Sequence, residues 1–222
     1  MASRITLAMS LVVLQTSAPG QRPALEARFI GNMAFAISDG ATTVMSDFPY
    51  QSGYSQYMEY DPAEIRSTTP ATLSLVTHRH PDHWEPALSA KTTWQVAGPD
   101  DVIKTVPAAR VLALGPSTTF GAVRIERIET PHAGIGHHSY VLTWHGRRLY
   151  FSGDTESPDH LIRLKNLDVA FVSPWLFRSV LKAGARIDAR QVVIYHHQTR
   201  ETIPECASAC TVPRQGQTLA IR

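Results

Sequence analysis

The six-residue run from His78 to His83 constrains this chain more than any other segment. Its sequence is His-Arg-His-Pro-Asp-His, and it follows Leu73 to Thr77, an apolar run typical of a buried strand. Four potential metal ligands fall within the run, and Pro81 fixes its own φ and stops the strand from continuing. We therefore predict a tight metal-binding loop at the end of a strand.

The spacing within this loop suits two metal ions. His78 and His80 are two positions apart, so on an extended segment their imidazoles can face the same side and hold one ion. Asp82 and His83 follow Pro81 and can turn toward a second ion. The alternative is a surface loop that is rich in histidine by chance, and ten histidines in 222 residues make that pattern rare.

Three further segments place histidine or aspartate after an apolar or alternating run. They are residues 130–138 after the run 123–128, Gly153-Asp154-Thr155 after the run 149–152, and His196-His197 after the run 192–195. Polar groups on loops at the ends of several strands can form one site over a rigid sheet. The sequence therefore predicts a site assembled from several loops.

The order of these segments resembles the metallo-β-lactamase fold superfamily of hydrolases. The resemblance extends over about residues 28 to 200 and comprises the His-x-His-x-Asp-His run, a later His, Gly-Asp-Thr and a strand-terminal His. A fifth signal is the segment 32–49, where Asp47 ends a strand ahead of the metal loop, as in the opening hairpin of that family. Within the superfamily the chain is most similar to the branch of ascorbate-6-phosphate lactonase-like and N-acylphosphatidylethanolamine phospholipase D-like proteins.

The resemblance implies a set of metal ligands. The first metal would take His78, His80 and His132, the second would take Asp82, His83 and His196, and Asp154 would bridge both. A carboxylate has two oxygens and can bind two cations at once, which suits Asp154 to the bridging position. The aspartate argues against the β-lactamase subclass that uses cysteine there.

Two of these assignments have competitors. His137 and His138 compete with His132, but His132 directly follows the predicted strand, and its loop resembles the Thr-Pro-Gly-His run of lactonases. His137 would then orient a ligand or the substrate. His197 competes with His196 by adjacency alone. Because successive side chains on a strand face opposite sides, only one of the two can reach the metals, and the family pattern favours His196.

The implied activity is that of a binuclear zinc-dependent hydrolase, with Mn²⁺ or iron as substitutes for zinc. Two ions about 3.5 to 4 Å apart hold a bridging hydroxide, lower its pKa toward neutrality and aim it at an electrophile. The scissile bond would be an ester, lactone, phosphoester or amide in a small molecule. Asp82, Asp154 and His196 are the predicted catalytic residues, and Asp82 could also steer the hydroxide proton.

Three alternative functions stay open. A β-lactam-hydrolysing enzyme needs a cationic anchor for the substrate carboxylate, for which Arg79 and Arg178 are the candidates. A non-catalytic metal-binding scaffold would be indicated by loss of the bridging aspartate, but Asp154 is present. An iron-dependent redox member usually needs a flavin partner or a thiol substrate channel, and the sequence gives no sign of such a domain.

Other polar and aromatic residues have simpler interpretations. Four tyrosines in the segment 49–60 could form a flap over the site or pack onto the outside of the sheet, namely Tyr50, Tyr54, Tyr57 and Tyr60. His145 is expected in a turn, His160 at the start of a helix, and Asp188 as solvated charge.

Composition favours one α/β domain. With 43% apolar residues in 222, the chain can bury one sizeable core but is short for two. Strand-like and helix-like segments form two halves that meet at Gly115-Pro116-Ser117, which suits the four-layer αββα sandwich that the resemblance implies. The expected strands include residues 28–37, 110–114 and 119–129. The formal net charge is +2 and no basic run with interleaved aromatics occurs, so we expect a small-molecule substrate and no nucleic-acid partner. The oligomeric state is not indicated.

The N-terminus predicts export. A short basic start, an apolar run from Ile5 to Leu14 and the small residues Ala18-Pro19-Gly20 are typical of a signal peptide, so we assign residues 1–20 to it and 21–222 to a single hydrolase domain. A periplasmic or secreted location follows, whereas a buried N-terminal element would imply the cytoplasm. The apolar run is too short to span a bilayer, so no stable membrane insertion is expected. Cys206 and Cys210 could pair in an exported protein and would remain thiols in the cytosol.

Overall fold

Two six-stranded sheets pack face to face in the computed structural model, which describes residues 24–53, 56–65, 69, 71–198, 200–206 and 210–221. The first sheet has the order β12-β1-β2-β3-β4-β5 and comprises β1 (Leu25–Gly31), β2 (Ala34–Ser38), β3 (Thr42–Ser46), β4 (Ala71–Leu75), β5 (Gln95–Ala97) and β12 (Thr218–Ile221). The second has the order β11-β10-β9-β8-β7-β6 and comprises β6 (Ser117–Phe120), β7 (Val123–Glu129), β8 (His138–Trp144), β9 (Arg147–Phe151), β10 (Leu167–Val172) and β11 (Ala189–Ile194).

The two sheets share one pairing pattern. In the first, β12, β1, β2 and β3 pair antiparallel, and β3, β4 and β5 pair parallel. In the second, β6, β7, β8 and β9 pair antiparallel, and β9, β10 and β11 pair parallel. Because parallel strands end at the same edge of a sheet, the loops after β3 and β4, and those after β9, β10 and β11, emerge together.

Aromatic side chains fill the space between the sheets. Phe35 from the first sheet lies 4.7 Å from Phe171 of the second, measured between ring centroids, and Phe151 stacks on Phe171 at 4.5 Å. All three rings are buried. Each aromatic pair adds about 0.5–1.5 kcal/mol beyond the burial of its apolar area, so these contacts fix the sheets against each other.

Helices cover the outer face of the second sheet. They are α3 (Asp159–Arg163) and α4 (Pro174–Lys182), whereas the short α1 (Pro86–Ser89) and α2 (Asp100–Ile103) belong to the first half. In α4, Ser173 caps the first turn by accepting from the Leu176 amide, and the apolar face packs on the sheet. The outer face of the first sheet carries an aromatic cluster that includes Phe48, Tyr50 and Trp94. The predicted α/β sandwich of four layers is confirmed.

Most predicted elements are present with shifted ends, and three predictions were wrong. The expected strand 28–37 is two strands, because Gly31 and Asn32 turn the chain with positive φ. The expected strand 119–129 is likewise a hairpin with Gly121 at its turn. Residues 110–114 form no strand beyond a single bridge at Val111, since the preceding 3-10 turn ends at Arg110, whose guanidinium bonds the Trp94 carbonyl. The edge strand β12 was not predicted.

Three features of the chain relate to the predicted export: the N-terminal segment, the two cysteines and the character of the helices. Residues 1–20, the predicted signal peptide, lie outside the described residues, so that assignment stays a prediction. Cys206 and Cys210 are joined by a disulfide. Within the described part of the chain, none of the helices has the length and apolar character needed to cross a bilayer.

A charged contact ties the two sheets together at their turns. His145 lies in the β8–β9 turn as predicted, and its Nε2 is 2.8 Å from Oδ2 of Asp39 in the β2–β3 turn. The same Oδ2 accepts from the Trp144 indole at 3.2 Å, and Asp39 Oδ1 accepts from the amides of Ala41 and Thr42. Burial alone would raise the pKa of Asp39, but these hydrogen bonds outweigh it and lower the pKa to about 2.

We predict that Asp39→Asn destabilises the fold in a pH-dependent way. The pKa of Asp39 is about 2 in the folded chain, and the pKa of an unfolded aspartate is about 3.9, so its stabilising effect is complete above about pH 4 and is lost as the pH falls toward 2. The variant should lower the free energy of unfolding at pH 7 by about 1–2 kcal/mol. Urea unfolding with chelator present, at pH 7, 4, 3 and 2, measures this.

The difference between wild type and Asp39→Asn should shrink below pH 4, and a difference that stays constant down to pH 2 would contradict the assignment. Asp188→Asn is the matched control. Asp188 is exposed, so its amide variant should unfold like the wild type at every pH.

Candidate metal centre

All seven predicted ligands meet at the edge of the sandwich where the parallel strands end. Four come from the loop after β4, and one each from the loops after β7, β9 and β11. They form two groups whose potential ligand atoms lie within 4.8 Å of one another, namely His78, His80, His132 and Asp154, and Asp82, His83 and His196. Apart from Asp154, each residue falls in the group to which the resemblance assigned it.

The Asp154 carboxylate is the centre of both groups. Its Oδ2 lies 3.3 Å from His83 Nε2 and 3.6 Å from His196 Nε2. The same oxygen is 3.9 Å from His78 Nε2 and 4.0 Å from His132 Nε2. Ligand atoms that bind a tetrahedral zinc ion at about 2.0–2.2 Å are about 3.4 Å apart, so these separations fit ligands that share an ion.

The remaining ligand atoms complete the two groups. His80 turns its Nδ1 inward, 2.9 Å from His78 Nε2 and 3.3 Å from His132 Nε2. In the second group, Asp82 Oδ2 lies 3.2 Å from His196 Nε2 and 3.7 Å from His83 Nε2. Each group therefore combines imidazole nitrogens with a carboxylate, which is the donor set that zinc and iron accept.

Two buried atoms at the centre have no hydrogen-bond partner among the residues that the structure describes. They are His83 Nε2 and Asp154 Oδ1, and the His83 side chain is 0% exposed. An unpaired buried polar atom costs about 1–3 kcal/mol, and native proteins contain few of them. A cation between these groups would satisfy both atoms, so the residues present fit a metal.

Opposite charges overcome burial at this centre. Burial works to raise the pKa of Asp154, but His83 and His196 outweigh it and hold that pKa well below its usual value. Conversely, burial lowers the pKa of both histidines, yet Asp154 and Asp47 raise the pKa of His83, while Asp154 and Asp82 raise the pKa of His196 to about 9. Metal ions and protons therefore compete for these two imidazoles.

Asp47 and Thr77 orient one histidine of each group. The buried Asp47 carboxylate lies 3.3 Å from His83 Nδ1 and accepts from the Thr77 hydroxyl and amide. Because the Thr77 hydroxyl donates to Asp47, its oxygen accepts from His78 Nδ1 at 3.0 Å. Both histidines thus carry their proton on Nδ1 and present Nε2 to the centre.

His137 supports the centre from behind. Its Nε2 accepts the Asp154 amide at 2.9 Å, and its Nδ1 donates to the Thr130 hydroxyl at 2.7 Å. Both ring nitrogens are therefore engaged, and burial lowers the pKa of His137 to about 3, which suits a neutral acceptor. These contacts favour His132 over His137 as the ligand. A Cβ at Gly153 would collide with the His137 ring and with Thr77, so only glycine fits there.

The neighbouring histidines do not reach the centre. His138 turns its Nδ1 toward the Tyr140 hydroxyl at 3.3 Å. His197 faces away from the carboxylates, with its Nδ1 and Nε2 each 3.0 Å from a backbone carbonyl, of Gln198 and Pro213. His196 and His197 therefore point to opposite sides of the chain, as predicted.

Asn32 connects two candidate ligands of the second group, and no pattern in the sequence indicated this role. The side-chain NH2 of Asn32 donates to the backbone carbonyl of Asp82 at 2.6 Å. The backbone carbonyl of Asn32 accepts from the His196 amide at 2.8 Å. Asn32 is fully buried and adopts a φ of +52°, which asparagine tolerates better than most residues. The loops after β1, β4 and β11 are therefore held together at one residue.

A cavity of about 310 Å³ opens onto the centre. Its lining includes Asp82, Asp154 and His196 from the centre, and Tyr57, Trp175 and Arg178 around them. The Trp175 indole donates to the Asp154 carbonyl at 3.2 Å, and its ring lies 4.9 Å from that of His196. Trp175 is a second contributor that sequence patterns did not reveal.

Three of the four tyrosines lie in the described residues, and they divide between the two alternatives. Tyr57 lies at the cavity with its hydroxyl 3.2 Å from His196 Nδ1, and burial with the Asp82 and Asp154 charges raises its pKa. Tyr50 and Tyr60 pack instead against Phe48 on the outside of the first sheet. Tyr54 lies outside the described residues.

We predict that the Thr77 hydroxyl strengthens metal binding at the first group. Thr77→Val leaves His78 Nδ1 without an acceptor, so metal affinity should fall about 10–100-fold, as for other residues that orient a ligand. Competition with a chromogenic chelator measures the affinity. Thr77→Ser keeps the hydroxyl and should bind metal like the wild type, whereas equal affinities for the valine and serine variants would contradict the role.

Comparison with known proteins identifies the family of this chain. The family model for the beta-lactamase superfamily domain matches residues 26–174. No curated protein matches the chain at a significant level. Among solved structures, Igni18, a metallo hydrolase from the archaeon Ignicoccus hospitalis, superposes with a TM-score of 0.71 and 16% identity over 90% of this chain and 99% of its own.

Two further structures are similar to this chain. Isothiocyanate hydrolase from Delia radicum gut bacteria has a TM-score of 0.66 and 16% identity over 88% of this chain and 99% of its own. CmlA, a diiron β-hydroxylase from Streptomyces venezuelae, has a TM-score of 0.51 and 11% identity over 81% of this chain and 46% of its own. At these identities the structures show the common fold alone. Together with the family match, they establish that the chain belongs to the beta-lactamase superfamily and has the metallo-β-lactamase fold.

Proposed function

We propose that this chain is a hydrolase that holds two metal ions, zinc by preference, and cleaves an ester, lactone, amide or related bond in a small molecule. The observation that carries the proposal is the pair of candidate ligand groups beside a cavity, with Asp154 in the first group and its Oδ2 within 3.6 Å of His83 and His196 of the second. Nitrogen and carboxylate donors suit zinc, and they also suit iron or Mn²⁺. The similarity in fold to CmlA, a diiron enzyme, supports iron as an alternative to zinc.

The residues of the centre have two roles, which are to hold the metals and to orient the attacking water. The metals, when bound, supply an activated water and polarise the bond to be cleaved. Asp154 and the histidines fix the positions of both ions. Asp82 is 20% exposed and faces the cavity, and its carboxylate stays ionised because His196 and His83 outweigh the effect of burial and lower its pKa. Asp82 can therefore accept a hydrogen bond from the attacking water and orient it.

The size and lining of the cavity favour a small substrate. A volume of about 310 Å³ lies at the lower end of the range for sites that bind small molecules, about 300–1,000 Å³. Pro174 and Trp175 supply an apolar wall next to the ligands. A polymer or a bulky lipid would have to bind largely outside this space.

Charge at the cavity favours an uncharged substrate. Arg178 Nε lies 3.2 Å from Glu205 Oε1, and an Arg178 terminal nitrogen lies 3.7 Å from Glu201. Arg79 Nε lies 3.1 Å from Asp101. Both candidate carboxylate anchors are therefore already paired with acidic side chains. Hydrolysis of a β-lactam, which carries a carboxylate, consequently has less support than hydrolysis of a neutral ester or lactone.

The test combines metal analysis with a substrate panel. The panel contains a nitrophenyl ester, an acyl lactone, an isothiocyanate, a nitrophenyl phosphodiester and a chromogenic cephalosporin. We expect about two zinc ions per chain and faster turnover of the neutral substrates. Asp154→Ala should lose metal and at least about 10³-fold in kcat/KM, because it removes the carboxylate that both groups share.

Asp159→Ala is the control, since Asp159 is exposed at the start of α3, close to Asp154 in sequence, and its loss should leave metal content and turnover unchanged. Substoichiometric metal with no turnover of any substrate would reject the hydrolase in favour of a non-catalytic scaffold. Two iron ions with turnover that requires oxygen would reject it in favour of redox chemistry.

A further inference from the structure

Tyr57 occupies a position that the metal ligands alone do not explain. Its hydroxyl lies 3.2 Å from His196 Nδ1, and it lines the cavity together with Asp82, Asp154 and Trp175. The opposite nitrogen of His196, Nε2, faces the carboxylates of Asp82 and Asp154 at 3.2 and 3.6 Å. The phenol therefore lies on the side of His196 opposite the Asp82 and Asp154 carboxylates, and it forms part of the cavity wall.

The direction of this hydrogen bond follows from the role of His196. An imidazole that binds a metal through Nε2 is neutral and carries its remaining proton on Nδ1. Nδ1 then donates, and the Tyr57 oxygen accepts. The phenol O–H of Tyr57 is consequently free to point elsewhere, and the described residues offer it no second hydrogen-bond partner.

The backbone around Tyr57 is held in place. The Gly53 amide donates to the Tyr57 carbonyl at 3.0 Å, and the Tyr50 hydroxyl donates to the carbonyl of the next residue, Met58, at 2.6 Å. The Tyr57 ring also packs against the core between the sheets. A donor that is fixed before the substrate arrives stabilises developing charge without reorganisation.

We propose that the Tyr57 hydroxyl donates a hydrogen bond to the substrate oxygen that becomes negative as the bond is cleaved. Tyr57 would thus be a catalytic residue, and the substrate would be an oxygen-bearing electrophile such as an ester or lactone. No covalent bond to Tyr57 forms or breaks, and its proton stays on the phenol. This inference rests on the proposed hydrolase function.

The test compares Tyr57→Phe with Tyr60→Phe on the zinc-loaded full chain. Removing one donor of this kind costs about 10²–10³-fold in kcat, so Tyr57→Phe should lower kcat by about 10²-fold on the best ester or lactone, with KM changed less than about threefold. A phosphonate monoester that mimics the tetrahedral intermediate should bind the variant at least about tenfold more weakly by titration calorimetry. Tyr60 lies in the outer aromatic cluster, so its variant should match the wild type in both assays.

Metal content separates a catalytic role from a positioning role. With zinc in excess, both variants should retain about two zinc ions per chain. Because Tyr57→Phe removes the acceptor of His196 Nδ1, its zinc affinity in chelator competition should fall about 10–100-fold, so both variants are assayed at saturating zinc. Loss of one zinc in Tyr57→Phe, in step with activity, would overturn the proposal, because the phenol would then act only by orienting His196. Unchanged kcat and phosphonate binding in Tyr57→Phe would also overturn it while the hydrolase function stands. Absence of turnover by the wild type would instead be a failure of the proposed function itself.

Discussion

The ionised carboxylate of Asp154 is the interaction on which the rest of the structure depends. A buried anion is tolerated only where opposite charge or hydrogen bonds compensate for lost hydration. His83 and His196 provide that compensation within 3.6 Å of Oδ2. Its backbone is fixed on both sides as well, since the Asp154 amide donates to His137 and its carbonyl accepts from Trp175. The loops that carry these residues must therefore converge, whatever their separation in sequence.

The matching pairing pattern of the two sheets makes this convergence possible. The strands β3 and β9 hold equivalent places, because each begins the parallel part of its sheet. Each is followed by a buried aspartate, Asp47 directly after β3 and Asp154 three residues after β9. The Asp154 carboxylate faces the candidate ligand atoms. Asp47 contacts Nδ1 of His83 directly, and it contacts Nδ1 of His78 through the Thr77 hydroxyl. The two halves thus supply similar groups to opposite sides of the same histidines.

The convergence of the candidate ligands was predictable from the sequence, whereas the residues that support them were not. His78, His80 and Asp82 are chemically specific residue types at close spacing, and Pro81 marks the loop that carries them. Asn32 and Trp175 are ordinary residues whose roles depend on partners 50 and 21 positions away. The turn at His145 was predicted from local sequence, but its contact with Asp39 spans 106 positions. Local patterns define loops and donor types, whereas the tertiary fold decides which loops meet.

The two ligand groups are chemically unequal, and this inequality bears on the metals that they would hold. Apart from the shared Asp154, the first group contributes three imidazoles, whereas the second contributes two imidazoles and the Asp82 carboxylate. An added carboxylate favours harder cations, so the second group accepts manganese or iron more readily than the first. Both groups border the cavity, since His80 of the first group lines it together with Asp82 and His196 of the second. A substrate in this cavity would therefore lie beside two sites of unequal metal preference.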